Sequence, residues 1–163
     1  MVTKQTFSSV LDTPSSQIDR TVKQLPPGTY TAMVVGQPRI DKSTKKGTEF
    51  SEYTMKIMEA HDDVDEDALD EYLTRSDGTK KLLQDCTIRN TYYHTEAAIG
   101  RLLTFFDHLD GLKPNDAKEV DDSPKQRMNE VAGKQCLIHI RHEPLQSGEG
   151  VIARVSSTSL IED

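Results

Sequence analysis

Between residues 50 and 60 the chain alternates: Tyr53, Met55 and Ile57 are apolar or aromatic, and Glu52, Thr54 and Lys56 between them are polar. That period of two marks a strand with one buried face and predicts a strand over 50–60. A strand over 28–40 precedes it, introduced by Leu25-Pro26-Pro27-Gly28. Pro38 has no amide hydrogen for a sheet ladder, so the far end of that strand is an edge or a bend. A third strand is predicted over 82–93, with Cys86, Ile88, Asn90 and Tyr92 on one face and Asp85, Thr87, Arg89 and Tyr93 on the other. The fourth covers 135–142, where Cys136, Ile138 and Ile140 oppose Leu137, His139 and Arg141. A loop over 143–150, with Pro144 and two glycines, leads to a fifth strand over 151–157.

The clearest helical pattern lies between the third and fourth strands. Thr95 is its N-cap, Glu96 stands in the first turn, and Ile99, Leu102, Leu103, Phe106 and Leu109 form one apolar stripe that Gly111 ends. A shorter helix is predicted over 124–132: Ser123 is the N-cap, Pro124 the first position, Gln126 closes a capping box and Gly133 is the C-cap. The acidic run holds a short helix over 66–73, and Ser76-Asp77-Gly78-Thr79 is a turn. Strand, strand, strand, helix, strand, strand is the order of an OB-fold, a five-stranded Greek-key barrel with its helix between strands three and four. A partly open sandwich reads similarly. The class is mainly β, with residues 1–25 as an irregular Ser/Thr-rich arm and 26–163 as one OB-fold-like domain.

At 163 residues, 34% hydrophobic and 29% charged, the chain supports one modest core. It has no run of about 18 apolar residues for a membrane span and no apolar secretory segment at its start, so no membrane partner and a cytoplasmic location are expected. Cys86 and Cys136 read as isolated buried thiols. The net charge of −7 argues against a generic nucleic-acid binder, but the signs are segregated. Asp62-Asp63-Val64-Asp65-Glu66-Asp67 carries five acids in six residues, whereas positive charge gathers at 39–46, at 75–81 and at Arg89. An acidic total therefore coexists with a basic groove.

Leu25-Pro26-Pro27-Gly28-Thr29-Tyr30, Lys42-Ser43-Thr44-Lys45-Lys46-Gly47-Thr48-Glu49-Phe50, Gly133-Lys134 and Phe7-Ser8-Ser9-Val10-Leu11-Asp12 resemble small phage- and prophage-encoded proteins, over roughly residues 7–157. Some of that family are described as OB-fold single-stranded DNA-binding proteins. The resemblance implies a non-enzymatic protein of replication or recombination. Its partners would be single-stranded DNA, phage or host replication and recombination proteins, and further copies of itself. The chain departs from the pattern in the acidic tail that many such proteins use for recruitment: Leu160-Ile161-Glu162-Asp163 is at most a stub.

Single-stranded DNA binding needs cations along a groove and aromatic faces for bases. In an OB-fold the groove crosses strands two and three, bounded by the one–two and four–five loops. Lys42, Lys45 and Lys46 fall in the one–two loop, and Lys56 and Arg89 project from strands two and three. Tyr93 shares the parity of Arg89 and is the first stacking candidate, ahead of Phe50 and Tyr30. Tyr53, Tyr92, Phe105 and Phe106 read as core. The competing reading of the lysines is a solvated hairpin loop.

Enzyme signals are lacking: there is no phosphate loop of the Gly-x-x-x-x-Gly-Lys-Ser/Thr type, no His-Glu-x-x-His and no Gly-x-Ser-x-Gly. No cofactor is expected, and no metal. His139 and His142 are three apart in a strand and face opposite ways, while His61, His94 and His108 lack paired ligands. The acidic run lacks the Gly and final Glu of a calcium loop and reads as a solvated turn. The rival function is a phage virion structural protein, a decoration or head-completion subunit, motivated by the acidic balance, the absence of tryptophan, 6% aromatics and the arm. A third is an inhibitor that mimics DNA through the acidic run.

Overall fold

The structure is a computed structural model and describes residues 14, 23–145 and 150–161. Within them, six strands form one antiparallel sheet: β1 Gly28–Val34, β2 Arg39–Lys42, β3 Glu49–Ala60, β4 Thr87–Tyr93, β5 Gln135–Pro144 and β6 Val151–Ser159. The helices are α1 Glu66–Leu73, α2 Glu96–Leu109, α3 Pro114–Ala117 and α4 Pro124–Met128. No helix among the described residues is long and apolar enough to cross a membrane.

Both edges of β3 are used. One pairs with β4, from Phe50↔Tyr93 to Lys56↔Thr87. The other pairs first with β2, from Lys42↔Glu49 to Arg39↔Glu52, and then with β1, from Val34↔Met55 to Tyr30↔Ala60. β1 also pairs with β5, and β5 with β6. β1 and β2 are thus two lengths of one bent stretch, parted at 35–38. There Gly36 takes a φ of +70°, open to glycine, and Pro38 offers no amide hydrogen. This break makes six strands of the five expected. The sheet also stays open: Cα atoms of β4 and β6 come within 8 Å, but the two strands do not pair. A cleft of about 210 Å³ lies between them, lined by Asn90, Tyr92, Thr104, Val155 and Thr158 among others.

The strand expected over 82–93 begins only at Thr87. Leu83–Asp85 form a 3-10 turn instead, in which the Cys86 amide donates to the Leu83 carbonyl at 3.0 Å. The Cys86 carbonyl still accepts from the Ile57 amide at 3.0 Å, so a ladder bond is kept outside the strand. The acidic-run helix spans Glu66–Leu73 as expected, capped by the Asp65 side chain. α4 has its capping box, with Ser123 N donating to Gln126 Oε1 at 2.9 Å and Gln126 N to Ser123 Oγ at 3.2 Å, but it ends at Met128 rather than at residue 132. α3, led by Pro114, was not foreseen.

Ser51, Tyr53, Met55 and Ile57, every second residue of β3, are fully buried. α2 covers them. It starts where the Thr95 hydroxyl accepts from the Ala98 amide at 3.1 Å, and it buries Ala98, Leu102, Phe105, Phe106 and Leu109. Ile99 and Leu103 are only partly buried, so the stripe is rotated slightly toward Phe105. The Phe105 ring packs 5.2 Å from both Tyr53 and Tyr92. Most of the arm lies outside the described residues, as do loop residues 146–149. The arm's end is part of the packed domain: Leu25 is buried, its carbonyl accepts from His142 Nε2 at 2.8 Å, and Lys23 donates to the carbonyls of Glu71 and Thr74.

α2 is tied to the sheet by charge. Arg127, 6% exposed, meets Asp107 at 2.9 Å and donates to Asp110 at 3.0 Å, and Asp110 also accepts from Lys134. The Asp107 contact is an ion pair rather than an aligned hydrogen bond, and Arg127 Nε finds no acceptor among the described residues. Burial pushes the Asp110 carboxyl up, but hydrogen bonds from Lys134 and Arg127 outweigh it and hold the group below its ordinary 3.8. Asp63 is also lowered, by the Thr29 hydroxyl and amide.

A carboxyl depressed in the folded state contributes stability above its unfolded pKa and loses it as pH falls through the folded value. The melting temperature should therefore drop as pH falls below about 4. Arg127→Met should cost about 3 kcal/mol at neutral pH by stranding Asp107 and leaving Asp110 with Lys134 alone, and should shrink the acid-dependent part of the loss. Denaturant melts across pH check both. Cys86 and Cys136 are buried, and burial pushes the Cys136 thiol up to about 12. DTNB should find no fast thiol in the folded protein and both after unfolding.

Candidate nucleic-acid interface

The residues of β3 turned away from the core are Phe50, Glu52, Thr54 and Lys56. Register sets Tyr93, Thr91, Arg89 and Thr87 of β4 directly beside them on one flank. On the other flank β2 sets Asp41 beside Phe50 and Arg39 beside Glu52. Directly opposed residues share a face, so these side chains form one outer strip, about 20 Å long from Phe50 to Lys56 at about 3.3 Å per residue.

One end of the strip is aromatic. The Phe50 and Tyr93 rings meet edge to face with centroids 5.8 Å apart, and Tyr93 is 47% exposed. The Arg39 guanidinium lies 5.2 Å from the centre of the Phe50 ring. The middle is nearly balanced in charge: Glu52 lies between Arg39 at 3.4 Å and Arg89 at 3.8 Å, and Arg39 also holds Asp41 at 2.8 Å. Lys56 stands further along, opposite Thr87.

Beyond the aromatic end, the chain from 43 to 48 folds tightly on itself. The Ser43 amide donates to the Thr48 carbonyl at 2.8 Å, the Gly47 amide to the Ser43 carbonyl at 2.9 Å, and the Thr48 amide to Ser43 Oγ at 3.1 Å. Gly47 has a φ of +66°, where a side chain would strain the turn. Between this loop and the start of α2 lies a pocket of about 580 Å³ lined by Lys45, Lys46, Tyr93, Ala98 and Arg101 among others. None of its described lining residues is Asp or Glu, and Lys45, Lys46 and Arg101 form no ion pair among the described residues.

The structure therefore brings Lys45, Lys46 and Tyr93 around one pocket and sets Lys56 and Arg89 along the strip that leads from it. Two expectations need correcting. Lys42 is not in the loop but in β2, opposite Glu49, and alternation turns it to the face opposite Asp41 and Phe50. Tyr30 is fully buried with its hydroxyl donating to the Pro26 carbonyl at 2.7 Å, so no base can stack on it. Arg101 was missed, and Arg39 was seen only as part of the basic stretch 39–46. Its place beside Glu52 and Phe50 becomes visible only once the β2–β3 register is known. Arg101 becomes visible only once the loop is seen to fold over the start of α2.

The five histidines enter separate contacts: His61 with Thr31, His94 with Glu49, His108 with Thr158, His139 with Thr29 and Ser159, and His142 with Leu25. Among the described residues no three His, Cys, Asp or Glu gather as metal ligands.

No protein-family model matches the chain, and no curated protein matches it. Among solved structures, one described as yeast RPA bound to ssDNA aligns over 100% of this chain and 90% of its own, at 8% identity and a TM-score of 0.33. So loose a likeness carries no weight for function.

Glu52 neutralises two arginines at once. Glu52→Gln should free Arg89 and leave Arg39 with Asp41 alone, and so raise the salt concentration at which the protein leaves a heparin column. An unchanged elution point would mean that these guanidiniums do not present their charge to a polyanion.

Proposed function

We propose that this chain binds single-stranded DNA, without catalysing a reaction, along the outer strip of β3 and β4 and into the loop pocket. The observation that carries the reading is the position of Tyr93: an exposed ring where the strip bearing Arg39, Arg89 and Lys56 meets a pocket lined by three further cations. Base stacking on an aromatic face and cations for the backbone are the two requirements of such binding, and they coincide here. The strip's ion pairs do not stand against it, since the Arg39 and Arg89 side chains are more than half exposed and each guanidinium has further N–H donors for a phosphate. With a net charge of −7 the attraction is local rather than global. Acidic segments such as 62–67 lie in other parts of the chain.

Within this reading the sheet is a partly open OB-type barrel. β1 and β2 count as one bent strand, the remaining order is β4-β3-β1-β5-β6, and α2 enters between β4 and β5. The binding strip then corresponds to strands two and three of that fold. Phage DNA replication or recombination is the setting we assign, on the resemblance of the sequence to small phage-encoded proteins.

Fluorescence anisotropy of a labelled oligo-dT at about 50 and 200 mM salt tests the reading. Binding should weaken with salt. Lys45→Ala with Lys46→Ala should lower affinity and make the salt slope shallower by about 1.4, at about 0.7 for each single-strand phosphate that goes unneutralised. Tyr93→Ala should cost about 1–3 kcal/mol with little change in slope. No binding by the unaltered protein at low salt sinks the reading.

A further inference from the structure

The strip and the pocket differ in how their charge is met. Along the strip, Arg39 and Arg89 face Glu52, and Arg39 also faces Asp41. In the pocket, Lys45 and Lys46 from the loop and Arg101 from α2 line one volume of about 580 Å³ with no carboxylate in its described lining. Positive charge is thus partly cancelled where an internal backbone would run and uncancelled at one end of that path. A phosphodiester carries one negative charge, whereas a phosphate monoester carries about 1.5 to 2 near pH 7. The surplus in the pocket matches the second group and exceeds what the first supplies.

Position and shape agree with the charge. The pocket lies past Phe50 and Tyr93, where the outer strip stops and the chain turns through Thr48 into the loop. Its α2 wall is Ala97 and Ala98, small side chains that leave room, and the hydroxyls of Thr44 and Thr48 add donors to the ammonium and guanidinium groups. Tyr93 stands in its lining, where a terminal base would find a ring to stack on.

From these observations we infer that the pocket seats the terminal phosphate monoester of a DNA strand whose first base stacks on Tyr93. The protein then reads the end of a strand as well as its backbone. This inference rests on the DNA-binding reading above.

The test uses the full chain and three labelled oligo-dT strands of one length: 5′-phosphorylated, 3′-phosphorylated, and hydroxyl at both ends. One phosphorylated end should bind about tenfold more tightly than the hydroxyl strand, the order of effect of an added charge-assisted contact. Which end it is gives the polarity. Arg101→Gln keeps a good helix former at an exposed position, and it should weaken the phosphorylated strand more than the hydroxyl strand, shrinking the end preference severalfold. Circular dichroism confirms that the variant is folded. Equal binding of all three strands overturns the inference and leaves the DNA-binding reading standing. An end preference left at full size by Arg101→Gln places the phosphate elsewhere and also overturns it. No binding of any strand overturns both readings.

Discussion

The alternation along β3 is the constraint on which the other elements depend. Its twelve residues pair with β4 on one edge and with β2 and β1 on the other, while Ser51, Tyr53, Met55 and Ile57 are fully buried. A slip by one residue would bury Glu52 and Lys56 and expose Tyr53, so the pairing has one workable register. The same register sets Tyr93 beside Phe50 and brings Arg89 to Glu52. The outer strip is therefore specified by burial on the opposite side of the same strands.

Charge in this protein is organised by element rather than by total. The buried set around Arg127 joins α2, α4 and the start of β5 through Asp107, Asp110 and Lys134. There Arg127 is buried, and removing it leaves Asp107 without its partner and Asp110 with Lys134 alone. On the outer strip the arginines reach into water, Arg89 being 76% exposed, while the Glu52 they share is half-buried. One network fastens the helix to the sheet; the other leaves its arginines free to change partners.

Sequence reasoning reached as far as local rules extend. β3, α1, the Thr95 cap and the capping box at Ser123 follow from periodicity and from side chains acting on backbone within a few residues. The parity that put Arg89 and Tyr93 on one face was readable for the same reason. Lys42 was misplaced because the length of β2, and so the side its residues take, depends on how the hairpin closes at 43–48. Tyr30 was misjudged because its burial comes from partners distant in sequence. Arg39 and Arg101 required register and a loop–helix contact, neither of which leaves a local trace. The sixth strand was announced by Pro38, but the residue indicates only a bend and not that pairing resumes beyond it.

The unpaired edges of β4 and β6 bear on the opposite surface of the sheet. A closed ladder would set the curvature of the sheet by hydrogen bonds all the way round. Here two edges face one another across a cleft, and the distance between them is held by the packing of its lining, Tyr92 stacked on Phe105 of α2. Curvature is then a matter of packing, and side chains on the outer surface of β4 spread or close with it. The spacing of the outer cations is in this sense a property of the core, and a change of volume at Phe105 would be felt as a change of pitch along the strip.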